Sequence, residues 1–288
     1  SHGIDLENST ALLNNADVQG GFLDIALNDT MPKDTTKKKT IWKINIDKLN
    51  LYRTNFRLHM PGDSMVIDAN FHKAAAQNAS IDLYNKVYRV DGIAWQGGSL
   101  TYDKTFVPRM RHGFDAAHIA LNKLNMGVDS LSYDSNGVSV NVRTANFTEQ
   151  SGLIVNDLRT RFRLDSTHFY LQPFYLRMPQ TELKGSVAMA LNAFSAINPG
   201  QLAVSLNGFV RINYLQPLLS GSVPTRFLHA IPTERIDVNG SLRGNMRNLI
   251  LQKLRIGMPQ HFALKVNGRI SNLQSPKNLS ANLALGGS

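Results

Sequence analysis

Three groups of side chains in this chain have the types and spacing that chemistry would need. The segment "RHGFDAAHIAL" at 111–121 carries His112, Asp115 and His118, imidazole and carboxylate donors of the kind that hold a divalent metal or pass a proton. Two carboxylate pairs, Asp63 with Asp68 and Asp129 with Asp134, could be posed as the acid and base of glycoside hydrolysis. A spacing of five sets the members of each pair on opposite faces of an extended strand, so both pairs read as turn and outward-facing residues. The His/Asp group reads as one loop that leads into a strand carrying Ile119 and Leu121.

Other catalytic signatures are missing. There is no GxxxxGK[ST] phosphate loop, no GxGxxG after a strand, no HExxH and no GxSxG elbow, which removes the main nucleotide, zinc and serine-hydrolase patterns. The chain has no cysteine, and with it go disulfides, thiolate nucleophiles and Cys-ligated zinc. The expectation is a protein that is not an enzyme, with no catalytic residue, no metal and no cofactor.

The elements that must carry any site are strands. Apolar residues alternate with polar ones in "SMVIDANF" (Met65, Ile67, Ala69, Phe71), "SIDL" (Ile81, Leu83), "HIAL" (Ile119, Leu121) and "VSVNV" (Val138, Val140, Val142). The same alternation continues in "LRTRFRL" (Leu158, Thr160, Phe162, Leu164), "LAVSL" (Leu202, Val204, Leu206), "NLIL" (Leu249, Leu251), "HFALKV" (Phe262, Leu264, Val266) and "LSANLAL" at 279–285. Period two predicts half-buried strands with one greasy face. Asn136-Gly137 is a hairpin signal, and Met-Pro followed by a polar step recurs in "LHMPGDS", "LRMPQTE" and "IGMPQHF", so strands should pair mostly with their sequence neighbours. Helical signals are confined to "NYLQPLL" at 213–219 and to a segment opening at Pro224, capped by Ser222 and stopped by Pro232. The stretch at 27–40 reads as a polar loop.

A longer echo runs beneath the strands: "DKLNL" at 47–51 returns as "NKLNM" at 122–126, and "ANF" at 69–71 returns at 145–147. The offset of about 75 predicts duplicated sheet, with Leu49 equivalent to Leu124 and Phe71 to Phe147. Three regions follow: an N-terminal strand segment and polar loop at 1–40, a duplicated region at 41–191, and a continuation at 192–288 with a short helical stop.

The formal net charge is +10, which fits nucleic acid, anionic lipid or an acidic polymer as partner, or a basic surface that is only solvated. Only Lys37, Lys38 and Lys39 form a run. In "NLYRTNFRLHM" at 50–60 alternation puts Tyr52, Phe56, Leu58 and Met60 on one face and Arg53 and Arg57 on the other. Single-strand stacking platforms mix aromatics and cations on one face, so nucleic acid is not expected. A sheet with one apolar face must pack on a second sheet, close into a barrel, or curl around something apolar. The fold expected is all-β, a long, curved, mostly antiparallel sheet forming an open apolar groove, with one or two short helices near 213–231.

The runs "IDKLNLYRTNFRLHMPGDSMVIDANF" and "FDAAHIALNKLNMGVDSLSYDSNGVSVNVRTANF", continuing through "LRTRFRLDSTHFYL", resemble the TamB/AsmA-like proteins of diderm bacteria in their Bacteroidetes style, over roughly 41–191. The segment "ERIDVNGSLRGNMRNLILQKLRIGMPQHFALKVNGRISNL" at 234–273, behind "INYLQPLL", resembles the AsmA-type pattern of strands after a helical stop. The family has soft hydrophobic patterns and no catalytic motif to carry over.

The resemblance implies a periplasmic β-groove (β-taco) that shelters and conducts phospholipid acyl chains between the inner and outer membranes, or supports assembly of outer-membrane proteins. It also implies that the full-length protein is anchored to the inner membrane and that the present chain is an internal fragment; Ser1, His2 and Gly3 themselves read as an expression remnant. The groove lining would be the apolar members of the alternating runs named above. The alternative is an interaction module whose exposed strands recruit a partner by β-augmentation.

Overall fold

The computed structural model describes residues 3–26, 42–219 and 234–287. The chain is all-β, with eighteen strands and one α-helix, α1 (Ile212–Leu219), among these residues. It divides into two compact units, 1–155 with 217–224 and 156–216 with 225–288. The parting at 155–156 falls inside the 41–191 region. The expected loop at 27–40 and the second helix from Pro224 lie outside the described residues; α1 coincides with the first.

In the first unit, β1 (Gly3–Asp5) and β2 (Thr10–Leu13) form a small antiparallel hairpin. Then β2, β3 (Ala16–Gln19) and β4 (Phe22–Ala26) run parallel, one after another, along β5 (Lys43–Met60). From there the ladder is antiparallel. β5 pairs with β6 (Met65–Asp82), and β6 with β7 (Val87–Val90) and β8 (Ile93–Lys104). Both of these pair with β9 (His118–Asp134), which closes a hairpin with β10 (Gly137–Glu149).

Strands β5 and β6 are eighteen residues long, well above the usual five or six, and the burial pattern explains how they stay paired. The inward residues of β5 are Ile44 and Ile46, then Leu49 and Leu51, then Thr54, Phe56, Leu58 and Met60. Between these sets, Asp47-Lys48 and Tyr52-Arg53 are consecutive outward residues. β6 has matching outward steps at His72-Lys73 and Gln77-Asn78, standing opposite those of β5, so the register never slips. Each bend needs a left-handed residue, supplied by Arg53 (φ 47°) in one and Asn78 (φ 49°) in the other. Strict alternation thus mistook Tyr52, which lies outward beside Arg53 and gives its inward place to fully buried Thr54.

The second unit is one antiparallel meander: β11 (Ile154–Leu164), β12 (His168–Met178), β13 (Thr181–Ala190), β14 (Leu202–Arg211), β15 (Arg235–Asn245), β16 (Asn248–Met258), β17 (Phe262–Ser271) and β18 (Ser280–Gly287), each paired with the next. Its strands bend by two devices placed side by side. β12 and β16 each insert one extra residue against both neighbours, at Gln172-Pro173 and Gln252-Lys253. Strands beside them keep count and use glycine, with Gly208 (φ 145°) in β14, Gly240 (φ 147°) in β15 and Gly268 (φ 142°) in β17 in backbone regions closed to other residues. At Gly240 a Cβ would stand 2.5 Å from the Leu254 Cα.

Burial in both units is shallow. The first has a cluster of Ala69, Trp95 and Leu124 with Phe56, Phe71, Leu100, Met126 and Phe147 packed on it. The second has Ala193, Leu202, Met246 and Leu249 with Met189, Val204, Leu242 and Leu251.

Candidate functional site

The groups that suggested chemistry are held apart or spent on structure. Asp68 is ion-paired with Arg57 at 2.6 Å, and Asp63 lies in the turn Pro61–Asp63. Asp129 is paired with Arg143 at 2.7 Å, while Asp134 accepts the Asn136 N–H at 2.7 Å within its hairpin turn. Among the described residues no group of three or more acids and histidines is arranged to hold a metal.

The His/Asp segment divides. His112 is exposed in the loop. Asp115 is buried and accepts the backbone N–H groups of Met110 (2.8 Å) and Ala117 (3.0 Å). The first of these bonds is the main cause that holds its carboxyl below the ordinary range; burial opposes it, and the charges of His118 and Arg109 add to it. His118 was expected in the loop but is the first residue of β9 and 3% exposed. Its Nδ1 lies 3.7 Å from the Asp103 carboxylate, which Arg109 already binds at 2.5 Å. The salt bridge ties the loop back to β8, and the Asp115 turn fixes its last residues before β9.

What register does bring together is apolar. Directly opposed residues share a face, and the first unit yields unbroken rows. Ile44, Ile81, Tyr88, Tyr133 and Val138 form one row; Phe56, Ala69, Leu100 and Leu121 form another; Leu58, Ile67, Tyr102 and Ile119 a third. Met65, Phe71, Val140 and Val142 belong to the same face. Leu83 lies just past the end of β6, in the turn, and is exposed.

In the second unit, Val187, Val204, Leu242, Leu251 and Gly268 stand in one row, flanked by Phe162 and Leu171 on one side and Leu283 on the other. Leu158, Leu164, Leu202, Leu206, Leu249, Phe262, Leu264 and Val266 share this face. Of the predicted lining, only Leu202, Leu249 and Val266 are buried; the rest are half-buried or, like Phe262, exposed. Buried inner faces are what a β-sandwich requires, and these faces lack that degree of cover.

Sequence reasoning missed the polar insertions in the apolar faces. Glu149, 1% exposed, continues the inward series Ala145, Phe147 and stands opposite Leu121. Its carboxylate accepts the Ser151 N–H at 2.7 Å and the Ser151 hydroxyl at 2.5 Å, so it serves the turn after β10. Parity from Val138 onward, corrected for the bulge near Arg143, would have found it. Thr160 sits likewise on the apolar face of β11 and its hydroxyl is buried with no partner.

The concavities of the second unit lie on its other, polar face. One, of about 1220 Å³, is lined by Asn207, Asn239, Arg255 and Lys265 among others. No helix among the described residues is long and apolar enough to cross a membrane. Compared with protein-family models, curated proteins and solved structures, the chain finds no match.

Proposed function

We propose that the apolar sheet faces shelter the acyl chains of phospholipids, and that the chain is a non-enzymatic segment of a TamB/AsmA-like envelope protein. On this reading it works in the periplasm, with the full-length protein anchored in the inner membrane, and helps to carry lipid toward the outer membrane or to support assembly there. One observation supports the reading above others: row after row of apolar side chains in register, left only half-buried by the described residues of each unit. Monomers rarely leave so much contiguous apolar surface without a ligand or partner for it. Each methylene taken from water contributes about 0.8 kcal/mol, so a lipid with two long tails gains roughly 10 to 20 kcal/mol of gross driving force. A wall of Val, Leu, Ile and Phe has few fixed polar hooks, and a chain can slide along it.

The test is an organic extract of the purified protein read by mass spectrometry, with binding of fluorescent acyl analogues of increasing length. Phospholipid should be recovered, and affinity should rise with each methylene while falling only modestly from about 50 to about 500 mM salt. Val140→Asp and Phe162→Asp should abolish uptake, because an unpaired carboxylate on this face costs several kcal/mol. Arg163→Glu, facing outward, should leave uptake intact. No response to chain length, with both faces equally sensitive to charge, would sink the reading.

A second reading has its own support. β18 is exposed at every position except Leu283, a surface on which a partner strand could be added by β-augmentation, as a nascent outer-membrane protein would.

A further inference from the structure

On the polar face of the second unit, register builds a second surface. Lys184, Asn207, Asn239, Arg255 and Lys265 stand in one row across β13 to β17, and Ser186, Ser205, Ser241 and Gln252 in the next. The bend at Gly208, Gly240 and Gln252-Lys253 hollows this face into two adjoining concavities of about 1220 and 810 Å³, which share Asn207, Asn239, Lys253 and Asn267. Either one is large enough for a small ligand, and together they make a trough crossing the strands.

Its charges are unbalanced. Lys184 is paired with Glu182 at 3.2 Å and Arg235 with Asp237 at 2.8 Å. Among the described residues no carboxylate pairs with Lys253, Arg255 or Lys265. Arg255 and Lys265 are directly opposed across β16 and β17, a like-charge arrangement that destabilises a sheet unless an anion lies between. The left-handed backbone of Lys253 (φ 49°) lets its N–H donate to the Asn267 Oδ1 at 2.6 Å. With its oxygen so engaged, the Asn267 amide turns its NH₂ donors outward.

We infer that this trough binds an acidic oligosaccharide. The three free cations fit its carboxylate or phosphate groups, and the Asn, Ser and Gln side chains, which both donate and accept, fit a chain of hydroxyls. Two phenylalanines border the trough: Phe209 is covered by Arg235 at 3.9 Å, and Phe262 has the parity of Leu264 and Val266 on the apolar face, so neither offers this face an open platform for stacking bases or the flat face of a neutral sugar. The site is on the opposite side of the sheet from the apolar face and does not depend on lipid binding.

The experiment is calorimetric titration of the whole chain with hexagalacturonate, maltohexaose, tripolyphosphate and single-stranded DNA. Hexagalacturonate should bind. The triple variant Lys253→Gln, Arg255→Gln, Lys265→Gln should weaken it about tenfold or more, the equivalent of one charge-assisted hydrogen bond. Arg159→Gln, Arg161→Gln, Arg163→Gln, the basic stripe of β11 on the same face, should change it less than about twofold; that control separates a site from general charge attraction. Maltohexaose should bind at least about tenfold more weakly, for want of the same charge-assisted bonds. The proposal is overturned if hexagalacturonate fails to bind, if both triple variants lose affinity equally, or if tripolyphosphate or DNA binds as tightly.

Discussion

The two units solve one problem in different ways. A long strand must bend without turning its apolar residues to water, since a one-residue slip flips every later side chain. In the first unit β5 and β6 take a matched outward step, so that Tyr52-Arg53 faces His72-Lys73 with Arg53 left-handed, and the bend runs on through Gly97-Gly98 (φ 71° and 136°) in β8 and Lys123 (φ 53°) in β9. The second inserts an extra residue in β12 and β16 alone, and lets glycine absorb the curvature in the strands between. Both units place a left-handed lysine at a bend, Lys123 and Lys253, but the second leans on glycine in more of its strands, at Gly208, Gly240 and Gly268. The first unit consequently keeps bulky residues at its bend and packs them around Trp95, and the second is thinner there.

That difference sets the largest effect expected. Leu124, 1% exposed, follows the bend residue Lys123, and Leu254 follows Lys253 in the same way but is only half-buried. Leu124→Ala should cost about 2 to 5 kcal/mol, and Leu254→Ala less than half as much. Both tryptophans, Trp42 and Trp95, belong to the first unit, so indole fluorescence follows that unit in denaturant while far-ultraviolet dichroism follows both. Equal losses for the two leucines would mean that the bends are packed alike.

Exchanging the residues at the two bends should have smaller and unequal effects. Gly240→Ala forces a side chain into a glycine-only backbone region and against the Leu254 backbone, and should destabilise the second unit by about 1 to 3 kcal/mol. Lys123→Gly relieves a left-handed lysine while loosening the unfolded chain, and the two should cancel to within about 1 kcal/mol. Thermal melts of both variants decide the matter. A tolerant Gly240 together with an intolerant Lys123 would reverse the assignment.

The same contrast explains what the sequence disclosed. Faces were legible wherever alternation runs unbroken, as at Val138 to Val142 or Phe262 to Val266, because pleat and pattern share a period. They were illegible across bends: Tyr52 went to the wrong face because nothing local marks Arg53 as left-handed. The echo of "DKLNL" in "NKLNM" was visible, and "QKLRI" at 252–256 extends it; in the last two the lysine, at φ 53° and 49°, opens a bend. Of the residues that echo relates, Phe71 and Phe147 both pack on the Trp95 cluster, whereas Leu124 is fully buried in it and Leu49 is only half-buried. The trough was not legible, since Lys253, Arg255 and Lys265 become neighbours only through register.

The smallest effect compares two turns, each held by one carboxylate. Asp115 precedes β9 and accepts the Met110 and Ala117 N–H groups. Asp165, between β11 and β12, accepts the Thr167 N–H (2.9 Å), the Thr167 hydroxyl (2.8 Å) and the His168 N–H (2.8 Å). In both, hydrogen bonds to backbone N–H are the foremost cause that lowers the carboxyl below the ordinary 3.8; Arg163 helps at Asp165, as His118 and Arg109 do at Asp115. A carboxyl that is more acidic when folded contributes stability above its unfolded value, and that stability is lost as pH falls from 3.8 through the lower folded value. Both turns should therefore stay intact at pH 5 and loosen only on further acidification. Amide proton shifts of Met110, Ala117, Thr167 and His168 followed by NMR should move with midpoints below 3.8. Asp115→Asn and Asp165→Asn should remove those midpoints and shift the local amides while leaving the distant strands unmoved, because each carboxylate serves its own turn. A midpoint at or above 3.8 for either turn would show that burial outweighs its hydrogen bonds. Asp115 is the more exacting case, since there burial is the second-largest influence and acts in the opposing direction.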